Sequence, residues 1–105
     1  MSFISFIGPK EEPALMIFDT GSGFSIISEA LLARVAPNVV IRPMENPLRI
    51  SGVNTQAPPE TSRGVALLLV IIPGDAPRRL IVPFVVLPNV HPDLVLLGMD
   101  NIRAF

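Results

Sequence analysis

Leu15-Met16-Ile17-Phe18-Asp19-Thr20-Gly21-Ser22 is the stretch on which the fold turns. Ala14–Phe18 is apolar without interruption, which predicts a short strand, and it runs directly into a carboxylate and a tight turn. A catalytic acid needs such a perch: rigid, partly desolvated, able to move a carboxyl pKa toward its working range. Thr20 can hydrogen-bond across a symmetry axis, Gly21 lets backbone approach the acid and a substrate, and Ser22 can donate a hydrogen bond to the carboxylate. By itself Asp-x-Gly is also ordinary turn chemistry at a strand end, so the rest of the chain decides.

Working outward, the sequence reads as short strands between many breaks. Twelve prolines and seven glycines suit an all-β domain better than a helical bundle. Ser2–Ile7 is a first strand, stopped by Gly8-Pro9 and the charged Lys10-Glu11-Glu12-Pro13. On the other side of the turn, Ser28 is a helix N-cap candidate, followed by Glu29 in the first turn, apolar Leu31, Leu32 and Val35, Arg34 near the end and Pro37 as a stop, so one short helix is expected. Val39–Ile41 and Leu48–Ile50 follow as strands, with Ser51–Gln56 as a turn-forming tip and Ala57–Ser62 irregular. Val65–Ile72 is apolar at every position and predicts a strand covered on both faces. Leu80–Leu87 is a further strand, in which Pro83 removes a ladder donor and implies a bulge or an edge. Pro88–Asp93 is a loop, Leu94–Leu97 a last buried strand, and Gly98–Arg103 the start of a terminal helix. No internal repeat or low-complexity tract interrupts this order, and the 105 residues are expected to form one domain, 1–105.

The second informative segment is Val95-Leu96-Leu97-Gly98-Met99-Asp100, two aliphatic residues before a glycine. Together, Phe-Asp-Thr-Gly-Ser and Leu-Leu-Gly-x-Asp resemble the retropepsins, the single-domain aspartic proteases of retroviruses, retrotransposons and their cellular relatives. The resemblance implies an all-β, closed barrel-type acid protease fold with one or two short helices, assembled as a symmetric homodimer. It implies that Asp19 is catalytic with Thr20, Gly21 and Ser22 supporting it, and that Leu96, Leu97 and Gly98 cross behind the catalytic loop. A hairpin flap containing Ile50, Ser51, Gly52, Val53 and Asn54 would close over an extended polypeptide substrate, in a form closer to retrotransposon and cellular members than to glycine-rich viral flaps. The N-terminal strand commonly joins the dimer sheet in that family, which places Met1–Ile7 at an interface.

One chain holds half of such a site, since none of Asp75, Asp93 or Asp100 is followed by Thr/Ser-Gly. The expected activity is therefore endopeptidase cleavage by two Asp19 carboxylates, one from each subunit. A catalytically inactive dimerisation or peptide-binding module of the same fold is the alternative, motivated by Pro58 and Pro59 on or just after the return arm of the flap and by the stop at Phe105 soon after Leu-Leu-Gly, where many members of that family continue into a further strand. Composition narrows the remaining classes. With no cysteine and a single histidine, His91, no metal site or cofactor is expected, and a Ser-His-Asp triad would have to be built on that single imidazole. His91 reads as a solvated loop residue and Arg78-Arg79 as a polar hairpin turn. Asp100 reads as a helix-start carboxylate or a partner for Arg103. Scattered charges with a net of −1 give no nucleic-acid footprint. The apolar runs are too short to span a bilayer by helix, and Met1–Ile7 lacks the charged n-region and cleavage site of a secretory signal, so an intracellular location is expected.

Overall fold

The computed structural model describes residues 2–19, 23–43, 49–50, 60–61 and 63–98. Two antiparallel strands open the chain, β1 (Ser2–Ile7) and β2 (Glu12–Asp19), in a register that pairs Ser2 with Ile17 and Ile7 with Glu12. Then come β3 (Ser25–Ser28), helix α1 (Glu29–Val35), the two-residue strands β4 (Arg49–Ile50) and β5 (Glu60–Thr61), the long pair β6 (Gly64–Ile72) and β7 (Arg78–Leu87), and finally β8 (Val95–Gly98). Six of the strands close into a barrel in the order β1-β2-β8-β3-β7-β6, with β4 and β5 forming a separate two-stranded sheet. Closure depends on a short contact, Phe6 with Ile71 and Ile7 with Val70.

The barrel interior is filled by Ile7, Met16, Ile27, Val70, Val82, Phe84, Val86, Val95 and Leu97. Helix α1 adds Leu31, Leu32 and Val35. Its start is fixed by Ser28, whose Oγ accepts a hydrogen bond from the Leu31 amide at 3.0 Å, and Glu29 and Arg34 sit at the ends where their charges suit the helix dipole.

A smaller apolar cluster lies on the outside of the same sheet: Ile26, Val85, Leu87 and Leu96, covered by Phe24, Val90 and Leu94. Strands β3, β8 and the last part of β7 are thus covered on both faces, which is why Val95-Leu96-Leu97 shows no polar alternation. Strand β6 is different. Its expected two-sided burial is not observed: Ala66, Leu68 and Val70 point inward, while Leu67 on the outer face is 51% exposed. Among the described residues the outer cluster does not reach β6, so Leu67 faces solvent with Ile81 of β7 while Val65, Leu69 and Ile71 are half-buried.

Two further expectations need correction. Val39–Ile41 forms no strand; the only described pairing there is an isolated bridge between Arg42 and Val65. Pro83 makes no bulge, because the β6–β7 register runs unbroken from Gly64–Val86 to Ile72–Arg78. The edge half of that expectation does hold. On its other side, β7 meets β3 only from Phe84 onward, so Pro83 has no neighbour there to miss its amide. Arg78 and Arg79 begin β7 rather than forming the turn, and Arg79 Nη2 lies 3.4 Å from Glu11 Oε1. The terminal helix expected at 98–103 lies outside the described residues beyond Gly98.

Candidate active site

Strand β8 is threaded between two strands that follow one another in sequence. On one side it runs parallel to β2, with Ile17 opposite Leu96, Phe18 opposite Leu97 and Asp19 opposite Gly98. On the other it is antiparallel to β3, with Ile26 opposite Leu96 and Ile27 opposite Val95. The chain thus leaves β2 at Asp19 on one side of β8 and enters β3 at Ser25 on the other, with the Phe24 backbone lying against the end of β8. Leu97 anchors that end in the barrel core, and Leu96 anchors it in the outer cluster.

Gly98 is dictated by this crossing. A methyl group at its Cα would collide with the backbone carbonyl of Phe24, so only glycine lets the strand end lie this close to the returning chain. Its amide donates to Ser25 Oγ at 3.0 Å, and Ser25 is fully buried. Ser25 was not singled out as a functional residue in the sequence. The one available signal was a hydroxyl beside an apolar pair, Ile26-Ile27, which is ambiguous until the neighbouring strand is known.

The loop leading into β8 is clamped to the helix start. Ser28 donates from its amide to Leu94 O at 3.0 Å and from Oγ to Pro92 O at 2.8 Å, so one hydroxyl caps α1 and holds the loop. Arg34 Nη1 contacts Asp93 Oδ1 at 3.1 Å, and the Asp93 amide donates to His91 Nδ1 at 3.1 Å. His91 is exposed, as a loop residue should be, but its ring nitrogen helps shape that loop. These contacts fix the approach of β8, and through it the end of β2.

Of the candidate site residues, Asp19 closes β2 in register with Gly98, and Leu96, Leu97 and Gly98 form β8 beside it. Thr20, Gly21 and Ser22 lie outside the described residues. Ile50 belongs to β4 and pairs with Glu60, and Arg49 pairs with Thr61, so the segment 51–59 is carried on an antiparallel base. Ser51, Gly52, Val53 and Asn54 within it lie outside the described residues, as do Pro58 and Pro59. Among the described residues no group of three or more His, Asp or Glu stands close enough to hold a metal ion.

A closed barrel in which the Asp-bearing strand and its successor are separated by a Leu-Leu-Gly strand is a retropepsin-like fold. Solved structures agree. The EIAV protease complexed with the inhibitor HBY-793 superposes with a TM-score of 0.61 at 19% identity, over 99% of this chain and 86% of that one. The retroviral protease-like domain of Ddi1 from Leishmania major superposes with a TM-score of 0.63 at 16% identity, over 99% of this chain and 75% of that one. No family model matches the sequence, and no curated protein matches it. At such identities the likeness is one of backbone architecture.

Proposed function

We propose that the chain is an aspartic endopeptidase that works as a homodimer, with Asp19 of each subunit forming a shared catalytic pair supported by Thr20, Gly21 and Ser22. The observation that carries this is the position of Asp19 at the end of β2, braced against Gly98 by a strand buried on both faces. Two carboxylates brought together by a twofold axis cannot both ionise cheaply, so the pair retains one proton and titrates as a unit. The ionised member takes a proton from a water molecule as its oxygen bonds to the peptide carbonyl carbon. The protonated member gives its proton to the carbonyl oxygen. When the tetrahedral intermediate collapses, the C–N bond breaks and a proton passes to the leaving nitrogen. The substrate lies extended beneath the segment carried by β4 and β5, with Ile50, Ser51, Gly52, Val53 and Asn54 as its covering residues.

The second candidate is an inactive peptide-binding or dimerisation module on the same fold. Pro58-Pro59 immediately before β5 favours it, because two successive residues without amide hydrogens cannot extend a hairpin ladder. A protein described only as a retroviral protease-like domain is among the structural neighbours, which fits either function.

Cleavage of a denatured protein mixture between about pH 4 and 7, the span around shifted carboxylate pKa values, separates the two. Asp19→Asn is expected to lower the rate by about 10²–10⁴-fold or more while the thermal midpoint stays near that of wild type. Undiminished cleavage by Asp19→Asn would exclude the carboxylate pair. A folded wild-type dimer without any cleavage would select the module.

A further inference from the structure

Strand β6 has a gap in its hydrogen bonding at Leu67. In an antiparallel ladder the amide and carbonyl of successive residues point alternately to the two neighbouring strands. Val65 exchanges both of its bonds with Arg42, at 2.9 Å each, and Leu69 O accepts from the Gly8 amide at 3.0 Å. Both residues therefore point away from β7, toward the side where β1 closes the barrel. Leu67, halfway between, must point the same way. Its partner across β6–β7 is Pro83, which has no amide hydrogen to give it, in keeping with a pair that exchanges no bond. Extending the Arg42–Val65 register would set Val40 opposite Leu67, but Val40 is turned out to solvent and 73% exposed. Among the described residues nothing bonds to the Leu67 amide or carbonyl.

The space left there is a half-open cavity of about 350 Å³ lined by Val39, Val40, Arg42, Val65 and Leu67. The side chains that line it are apolar apart from that of Arg42. Arg34, Arg63 and Arg79 each have a carboxylate within 3.4 Å, whereas Arg42 has none among the described residues. An unpaired donor and acceptor on one residue match the two polar groups of a peptide unit, the walls match an apolar side chain, and the free cation matches a carboxylate. The bridge at Val65 and the bond at Leu69 occupy the edge on either side of the gap, so only one residue can pair with Leu67 before its chain leaves the sheet edge. An internal segment would have to turn away on both sides, a chain end on one only.

We propose that this gap is a binding site for the C-terminal end of an extended apolar polypeptide, which pairs its backbone with Leu67, places a side chain against Val39, Val40 and Val65, and sets its terminal carboxylate against Arg42. The site lies on β6 and does not rest on the Asp19 chemistry.

The test uses ¹⁵N-labelled wild-type protein with acetyl-Leu-Val-Leu as the free acid and as the C-terminal amide. In the free protein the Leu67 amide is expected to exchange with solvent faster than those of Ala66 and Leu68, which face β7. Adding the acid should shift the amide signals of Val40, Val65 and Leu67 and slow exchange at Leu67. The acid should bind about threefold more tightly than the amide, as expected of one exposed ion pair. Arg42→Gln should remove that preference without unfolding the protein, because the Arg42–Val65 bridge is made by backbone atoms. Slow exchange at Leu67 before any peptide is added would show that residues 39–41 already fill the gap, and would overturn the proposal. Signal changes confined to residues 23–28 and 95–98, equal affinity for acid and amide, or no change at millimolar peptide would overturn it as well.

Discussion

Gly98 carries more of the architecture than its size suggests. It faces Asp19 across one ladder, gives its amide to buried Ser25 and lies against the Phe24 backbone, where no side chain fits. Gly98→Ala places a methyl group against main-chain atoms that cannot rotate away, so β8 or the returning turn must shift. A destabilisation of about 1–3 kcal/mol is expected from overpacking at a site this rigid, read as a lower denaturant midpoint at unchanged slope. A midpoint equal to wild type would mean that the Phe24 backbone yields freely and that the crossing is not tightly set. The sequence identified Gly98 through the Leu-Leu-Gly pattern. Ser25, equally buried, escaped notice because its role depends on which strand lies beside it, and β8 is distant in sequence.

At the scale of elements, local signals were read well and those that depend on a neighbour were not. Ser28, Glu29, Arg34 and Pro37 all report on the helix they bound, and α1 lies where they place it. Strands Ser2–Ile7 and Leu94–Leu97 were recovered within a residue by their breaks. The outward exposure of β6 was hidden because Val65–Ile72 is apolar at every position; composition cannot tell a face covered by an outer cluster from one left bare. The asymmetry can be measured on adjacent residues of β7. Ile81 is 64% exposed and Val82 is 1% exposed. Ile81→Lys should change stability by no more than about 0.5 kcal/mol, whereas Val82→Lys buries an unpaired charge and should prevent folding. If Ile81→Lys proved as damaging as Val82→Lys, the outer face of β7 would be covered by something beyond this chain. Ser28 supplies a second test. Its hydroxyl satisfies the Leu31 amide and also holds Pro92 O, so Ser28→Ala should cost more than a simple cap, about 1–2 kcal/mol. Ser28→Asp retains the acceptor but not the donor and should recover only part of that loss in thermal melts.

For the whole molecule, the deciding issue is whether one barrel suffices. The chain supplies one Asp-Thr-Gly segment, and the proposed mechanism requires two carboxylates on either side of a twofold axis. Dimerisation leaves a kinetic signature that an isolated subunit cannot imitate. Specific activity should rise with protein concentration and then level off as the dimer saturates. Subunit mixing is more discriminating, because it separates the need for a partner from the need for that partner's acid. If Asp19→Asn subunits are added to wild type at three to one and allowed to exchange, random pairing leaves only about one wild-type subunit in four with a wild-type mate. Activity per wild-type subunit should then fall to about a quarter, while sizing shows no loss of dimer. Activity that stayed constant per wild-type subunit would mean that a single Asp19 is enough, and the shared-proton mechanism would have to be abandoned even if the dimer itself were real.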